Sequence, residues 1–91
     1  MKCRKKPIII EAEKISDIIF NVKYSWNSLP QWVVNAYDNG VITAITETGF
    51  TVKTLEGNME GKLDGYLMKG IDGELYPCDG KIFEKTYDII E

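Results

Sequence analysis

The stretch that decides the fold class is "VITAITETGFTVKTLEGNMEGKLDGYLMKGIDGELYPC", Val41 to Cys78. Inside it, "VITAIT", "FTVKTL", "YLMKGI" and "ELYPC" are rich in β-branched and aromatic residues, the composition of half-buried strands. Between and around them stand "ETG", "EGN" and two "DG" pairs, which supply the glycine and Asx chemistry of tight turns. Connections this short force neighbouring strands to run antiparallel. The stretch therefore predicts a strongly twisted meander, with partial closure as one way to hide its edges.

Upstream, "PIIIEAEKI" sets Ile8, Ile10 and Ala12 against Ile9, Glu11 and Glu13, a period of two that predicts a further strand starting after Pro7. This brings the sheet to about five strands. "SDIIFNV" predicts one or two helical turns capped by Ser16, and Lys23 to Ser28 reads as loop. The strongest helix signal is "SLPQWVVNAYDNG". Ser28 and Gln31 have the spacing of a capping box. Leu29, Trp32, Val33, Ala36 and Tyr37 fall on one face of a helix from Leu29 to Asp38, and Gly40 supplies its left-handed end. At this spacing Trp32 and Tyr37 are read as core in preference to the wall of a ligand cleft.

Downstream, Asp72-Gly73 is a hairpin signal joining "YLMKGI" to "ELYPC", and Pro77 marks a strand end or an edge. Asp79 is placed to cap a last helix beginning near Lys81, with Phe83 and Tyr87 on its inner side and Glu84 and Lys85 facing water. The reading is one α+β domain over residues 1–91: a twisted antiparallel meander with two helices packed on it through Trp32, Tyr37, Phe83 and Tyr87.

Composition bounds the function. A chain of 91 residues has room for one core, and one this small buries only about 60 to 65 per cent of its unfolded surface. The net charge of −3 argues against a general duplex-DNA binder. Residues 1–55 hold seven basic and five acidic side chains, while 56–91 hold four and nine, an asymmetry that suits a basic protein partner or self-association between unlike faces. Glu11 and Glu13 end the apolar run behind the basic start after three isoleucines, too short for a secretory h-region. No apolar stretch approaches the length of a membrane span. The expectation is a cytoplasmic protein with Cys3 and Cys78 as free thiols, no zinc or redox pair, and no cofactor.

Chemistry-bearing residues are sparse. There is no histidine, so the usual base for a serine or cysteine nucleophile and the commonest transition-metal ligand are missing. Cys78 at a helix N-terminus is where a thiol pKa is lowered, but Lys81 alone would have to assist it, and a structural thiol is the preferred reading. Asp72 and Glu74, two apart in a hairpin, are read as solvated turn acids in preference to a catalytic pair. No phosphate-loop spacing of glycines is present.

"KGIDGELYPCDGKIFEKTY", Lys69 to Tyr87, together with "KKPIIIEA", "LPQWV" and "TLEG", resembles a family of short proteins of tailed bacteriophages and prophages that share a KGxxGExYPC segment leading into IFEKTY. The likeness runs in the same order over most of the chain. The sequence departs from that pattern at Asp64-Gly65, where the family has Gly-Asp, and at Asp79-Gly80-Lys81, where it has Lys-Pro-Asp. The resemblance implies a setting, the cytoplasm of an infected or lysogenic bacterium, and no reaction.

Two classes of function follow. One is a non-enzymatic phage accessory protein, a homo-oligomer in one form, that binds a host or phage protein. The alternative is a small-molecule binder that sequesters a nucleotide signal, stacking bases on Trp26, Trp32 and Tyr76 and holding phosphates with Lys69 and Lys81. Neither reading includes a catalytic residue or a metal ligand.

Overall fold

The computed structural model describes residues 1–90. Strand β1 (Glu11–Lys14) leads directly into helix α1 (Ile15–Tyr24), followed by a 3-10 turn (Trp26–Ser28) and helix α2 (Gln31–Asp38). Strands β2 (Ile42–Thr43), β3 (Gly49–Thr54), β4 (Gly57–Lys62), β5 (Tyr66–Lys69) and β6 (Leu75–Cys78) come next, and helix α3 (Gly80–Thr86) ends the regular structure. The α+β class predicted from the sequence is the class observed. The single meander is not: the strands form two antiparallel three-stranded sheets, ordered β1-β5-β6 and β2-β3-β4, and no barrel closes.

Each departure from the sequence reading has a physical cause. The strand expected from Ile8 begins only at Glu11, because its neighbour β5 ends at Lys69, the partner of Glu11. Pairing stops there, and Ile9 is left 81% exposed. Ser16 caps nothing. Helix α1 starts at Ile15, whose N–H is satisfied by the carbonyl of Gly65 in the β4–β5 turn at 3.1 Å, and Lys14 makes no side-chain cap. The helix is also longer than predicted. Ile15, Ile18, Ile19 and Val22 recur at i, i+3, i+4 and i+7, and all four pack in or against the main core, each fully buried isoleucine contributing about 1.5–3 kcal/mol.

The capping box at Ser28 and Gln31 does not form. Pro30 holds the N-cap position of α2, Ser28 Oγ lies 2.6 Å from Ser25 Oγ, and Gln31 donates to Asn35 Oδ1 instead. Residues 23–28 are consequently helix end and 3-10 turn, not loop. Leu29, Val33 and Ala36 are buried as expected, and Trp32 packs against them half-buried. Tyr37 is not a core contact: it is 45% exposed and meets the edge of Trp26, with ring centroids 5.2 Å apart.

Helix α2 does end at Gly40, with φ +73. The N–H groups of Gly40 and Val41 bond the carbonyls of Tyr37 and Ala36, the two bonds of a Schellman cap. Strand β2 shrinks to two residues because Ala44 turns the chain with φ +52. Strand β4, "GNMEGK", is polar and glycine-rich and carries no strand signal, yet it pairs with β3 over all six residues. A side chain at Gly61 would run into Ile15 and Phe50.

The hairpin at Asp72-Gly73 is present, with Gly73 at φ +84 and the Gly70 N–H bonded to the Glu74 carbonyl. Pro77 sits opposite Leu67 on β6. Gly70 and Glu74 form a hydrogen-bonded pair, so Met68/Tyr76 and Tyr66/Cys78 do too, and Pro77 falls between them. Its missing N–H faces away from β5 at the sheet edge and costs no ladder bond.

The first sheet is used on both faces. Leu67 and Leu75 face the main core with Phe50, Val52 and the helices. Met68, fully buried, points the other way. Helix α3 covers that second face. Asp79 caps it as predicted, accepting from the Lys81 and Ile82 N–H groups at 2.8 and 3.3 Å. Phe83 is buried, while Ile82 is exposed and Ile90 lies beyond the helix end at Thr86. Gly65 and Gly80 let the chain approach itself closely here, since a side chain at Gly80 would collide with the Asp64 carbonyl and one at Gly65 with that of Cys78. No helix among the described residues is long and apolar enough to cross a membrane.

Candidate binding cleft

The second face of the β1-β5-β6 sheet floors a cleft of about 880 Å³. Cross-strand register builds the floor: Ala12, Met68 and Tyr76 are successive partners across the strands, with Lys14 and Tyr66 in the next row. One wall is the N-terminal segment from Lys5 to Ile10. The other is formed by Phe83, Thr86 and Tyr87 with Asp88, Ile89 and Ile90.

Stacked aromatic rings line the floor. Phe83 stacks on Tyr66 with centroids 3.7 Å apart and planes 12° from parallel, and Tyr87 continues the stack at 5.4 Å. The Tyr76 and Tyr87 hydroxyls lie 3.4 Å apart. Burial, followed by the hydrogen bond to Tyr87, pushes the Tyr76 phenol above its ordinary 10.0. It therefore stays protonated, able to donate a hydrogen bond and unsuited to taking a proton. Charge around the rim is mixed, with Lys5, Lys6 and Lys14 against Asp17, Glu74 and Asp88.

Of the five residues expected to bind a ligand, the cleft contains Tyr76 alone. Lys69 is on the opposite face of the sheet, where its ammonium lies 3.4 Å from Glu11, its cross-strand partner. Lys81 is exposed in the first turn of α3. Trp26 and Trp32 belong to the helical layer, one edge-on to Tyr37 and the other against the main core. Tyr66, Met68 and Tyr87 are the floor residues that sequence reasoning passed over as a site. The signal was present: once the Asp72-Gly73 hairpin is accepted, its short loop puts Met68 opposite Tyr76, and alternation carries Tyr66 onto the same face.

Cys78 is a strand-end thiol and not an activated one. Burial and the neighbouring Asp79 carboxylate both push its pKa up from the ordinary 9.0. The lowering expected at a helix N-terminus does not operate, because Asp79 itself occupies the first-turn N–H groups and brings negative charge beside the sulfur. Asp72 and Glu74 form a turn brace, in which the Asp72 N–H donates to Glu74 Oε2 at 3.1 Å.

No family profile, curated protein or solved structure matches the chain. A functional reading has to come from the residues themselves.

Proposed function

We propose that this protein is a non-enzymatic binding module that holds a segment of a host or phage protein in the cleft. The observation that carries the reading is the distribution of exposed apolar side chains. Ile8, Ile9, Ile71, Ile89 and Ile90 are between 49% and 81% exposed, and all five border a floor of stacked aromatics. A rigid aromatic floor with an apolar rim is how protein interfaces are anchored. The chemistry agrees with binding: the Tyr76 phenol in the cleft and the Cys78 thiol at the end of its strand are held protonated, and the chain has no histidine to move a proton at neutral pH. The likeness to phage proteins supplies the biological setting. Sequestration of a nucleotide draws on Tyr76 alone among its expected residues, since the phosphate-binding lysines lie elsewhere, and is the weaker reading.

The test is site-specific photo-crosslinking in bacteria, with a benzoylphenylalanine placed at Ile71 on the cleft rim or at Leu55 in the β3–β4 turn. A discrete adduct heavier than a dimer of the chain is expected from Ile71 and not from Leu55, and Tyr76→Ala should abolish it. Equal labelling from both positions, or an Ile71 adduct indifferent to Tyr76→Ala, would refute the cleft as the binding site.

A further inference from the structure

Positive charge is concentrated at one place beside the cleft. The first ten residues carry four cations, Lys2, Arg4, Lys5 and Lys6, and no carboxylate, while the rest of the chain carries seven cations and fourteen carboxylates. All four are exposed, and none makes an ion pair among the described residues. Lys5 and Lys6 belong to the N-terminal wall of the cleft, directly ahead of Pro7 and the three isoleucines. Exposed cations without a partner contribute little to the fold, but they set the potential that an incoming ligand meets.

The acidic groups of the rim are placed otherwise. Glu74 accepts from the Asp72 N–H at 3.1 Å, and Glu13 has a partner within the chain. Asp17 lies in the first turn of α1, three residues after Lys14, where the helix N-terminus favours a carboxylate. Asp88 stands on the wall opposite Lys5 and Lys6, so the two walls differ in sign. The floor between them is neutral. The Tyr76 and Tyr87 hydroxyls lie 3.4 Å apart, and the one hydrogen bond they share leaves a second proton for a carbonyl oxygen of the ligand.

We infer that the segment held in the cleft is both acidic and apolar, a step that rests on the cleft being the binding site. Its apolar side chains lie on the aromatic floor against Ile8, Ile9 and Ile71, and the carboxylates adjoining them meet Lys5 and Lys6. The floor supplies affinity, while the exposed charge pairs set orientation and selectivity. A basic segment would meet like charge at the N-terminal wall. A nucleic acid would bring its phosphates against a chain whose other residues are strongly acidic. An anionic bilayer would attract the four cations, but it has no use for a concave aromatic floor.

Selection of short random peptides on the immobilised full chain tests this, with an Ile71→Asn variant as the control for the cleft. The enriched peptides are expected to carry Asp or Glu beside an apolar run. In fluorescence anisotropy with one of them, Lys5→Glu and Lys6→Glu combined should weaken binding about tenfold at low salt and by a smaller factor at about 0.5 M salt, where the charges are screened. Both residues are exposed, so the melting temperature should not change. No enrichment over Ile71→Asn would refute the cleft as the binding site, and this inference with it. Peptides that need Ile71 but are neutral or basic, or that ignore the charge reversal, would overturn this inference and leave the cleft standing. Flotation with phosphatidylglycerol vesicles that needs Lys5 and Lys6 but not Ile71 would assign the cations to a membrane surface and overturn it as well.

Discussion

Phe83→Ala measures how far helix α3 belongs to the fold. Phe83 is 6% exposed and is stacked between Tyr66 at 3.7 Å and Tyr87 at 5.4 Å. Truncating a buried phenylalanine costs about 3–5 kcal/mol, including the cavity it leaves, and about 0.5–1.5 kcal/mol of that range is specific to each ring pair. A domain of 91 residues has an unfolding entropy near 190 cal/mol/K, by roughly 2.1 cal/mol/K per residue, so each kcal/mol lowers the melting temperature by about 5 °C. The expected loss is therefore about 15–25 °C, a large fraction of the total stability of so small a domain. Differential scanning calorimetry reads it directly. Phe20→Ala is the control: Phe20 is 58% exposed and its ring lies against that of Tyr24, so the change should stay within about 1 kcal/mol. A Phe83→Ala loss below about 5 °C would mean that α3 is an appendage, and that the cleft floor is not held by the stack described above.

Two further outcomes separate the features the sequence predicted correctly from those it did not. Asp79→Ala should destabilise by about 1 kcal/mol because it strips two N–H partners from α3, whereas Ser28→Ala should cost less, since Ser28 caps no helix; equal losses in chemical denaturation would contradict this. Cys78 should react with iodoacetamide at pH 8 more slowly than the same cysteine in urea, because its folded pKa is raised. With the folded value above the unfolded one, this thiol's contribution to stability is intact below the unfolded pKa and fades as pH rises past it. Labelling faster than in urea would restore the activated-thiol reading.

Signals that depend on a few adjacent residues were legible in the sequence. Gly40 ends α2, Asp79 caps α3 and Asp72-Gly73 turns the β5–β6 hairpin, because each needs only a side-chain oxygen or a left-handed φ within a turn's reach. The α+β class followed from the same local evidence. Signals that need a partner failed. Ser28 had the capping-box spacing, but the 3-10 turn engaged it with Ser25. "PIII" alternated as a strand should, yet β5 was too short to pair with it.

Of the residues expected to bind a ligand, Tyr76 lies in the cleft, whereas Trp26, Trp32, Lys69 and Lys81 were chosen by chemical type without knowledge of face. The sequence by itself determined which residues turn, cap and alternate. Only the tertiary structure decided that the strands divide into two sheets, that "GNMEGK" is a strand, and that Phe83 and Tyr87 stack over the face shared by Tyr66, Met68 and Tyr76. The physical reason is that strand pairing and stacking energies belong to residues far apart in the chain, and no local pattern records which partner will be there.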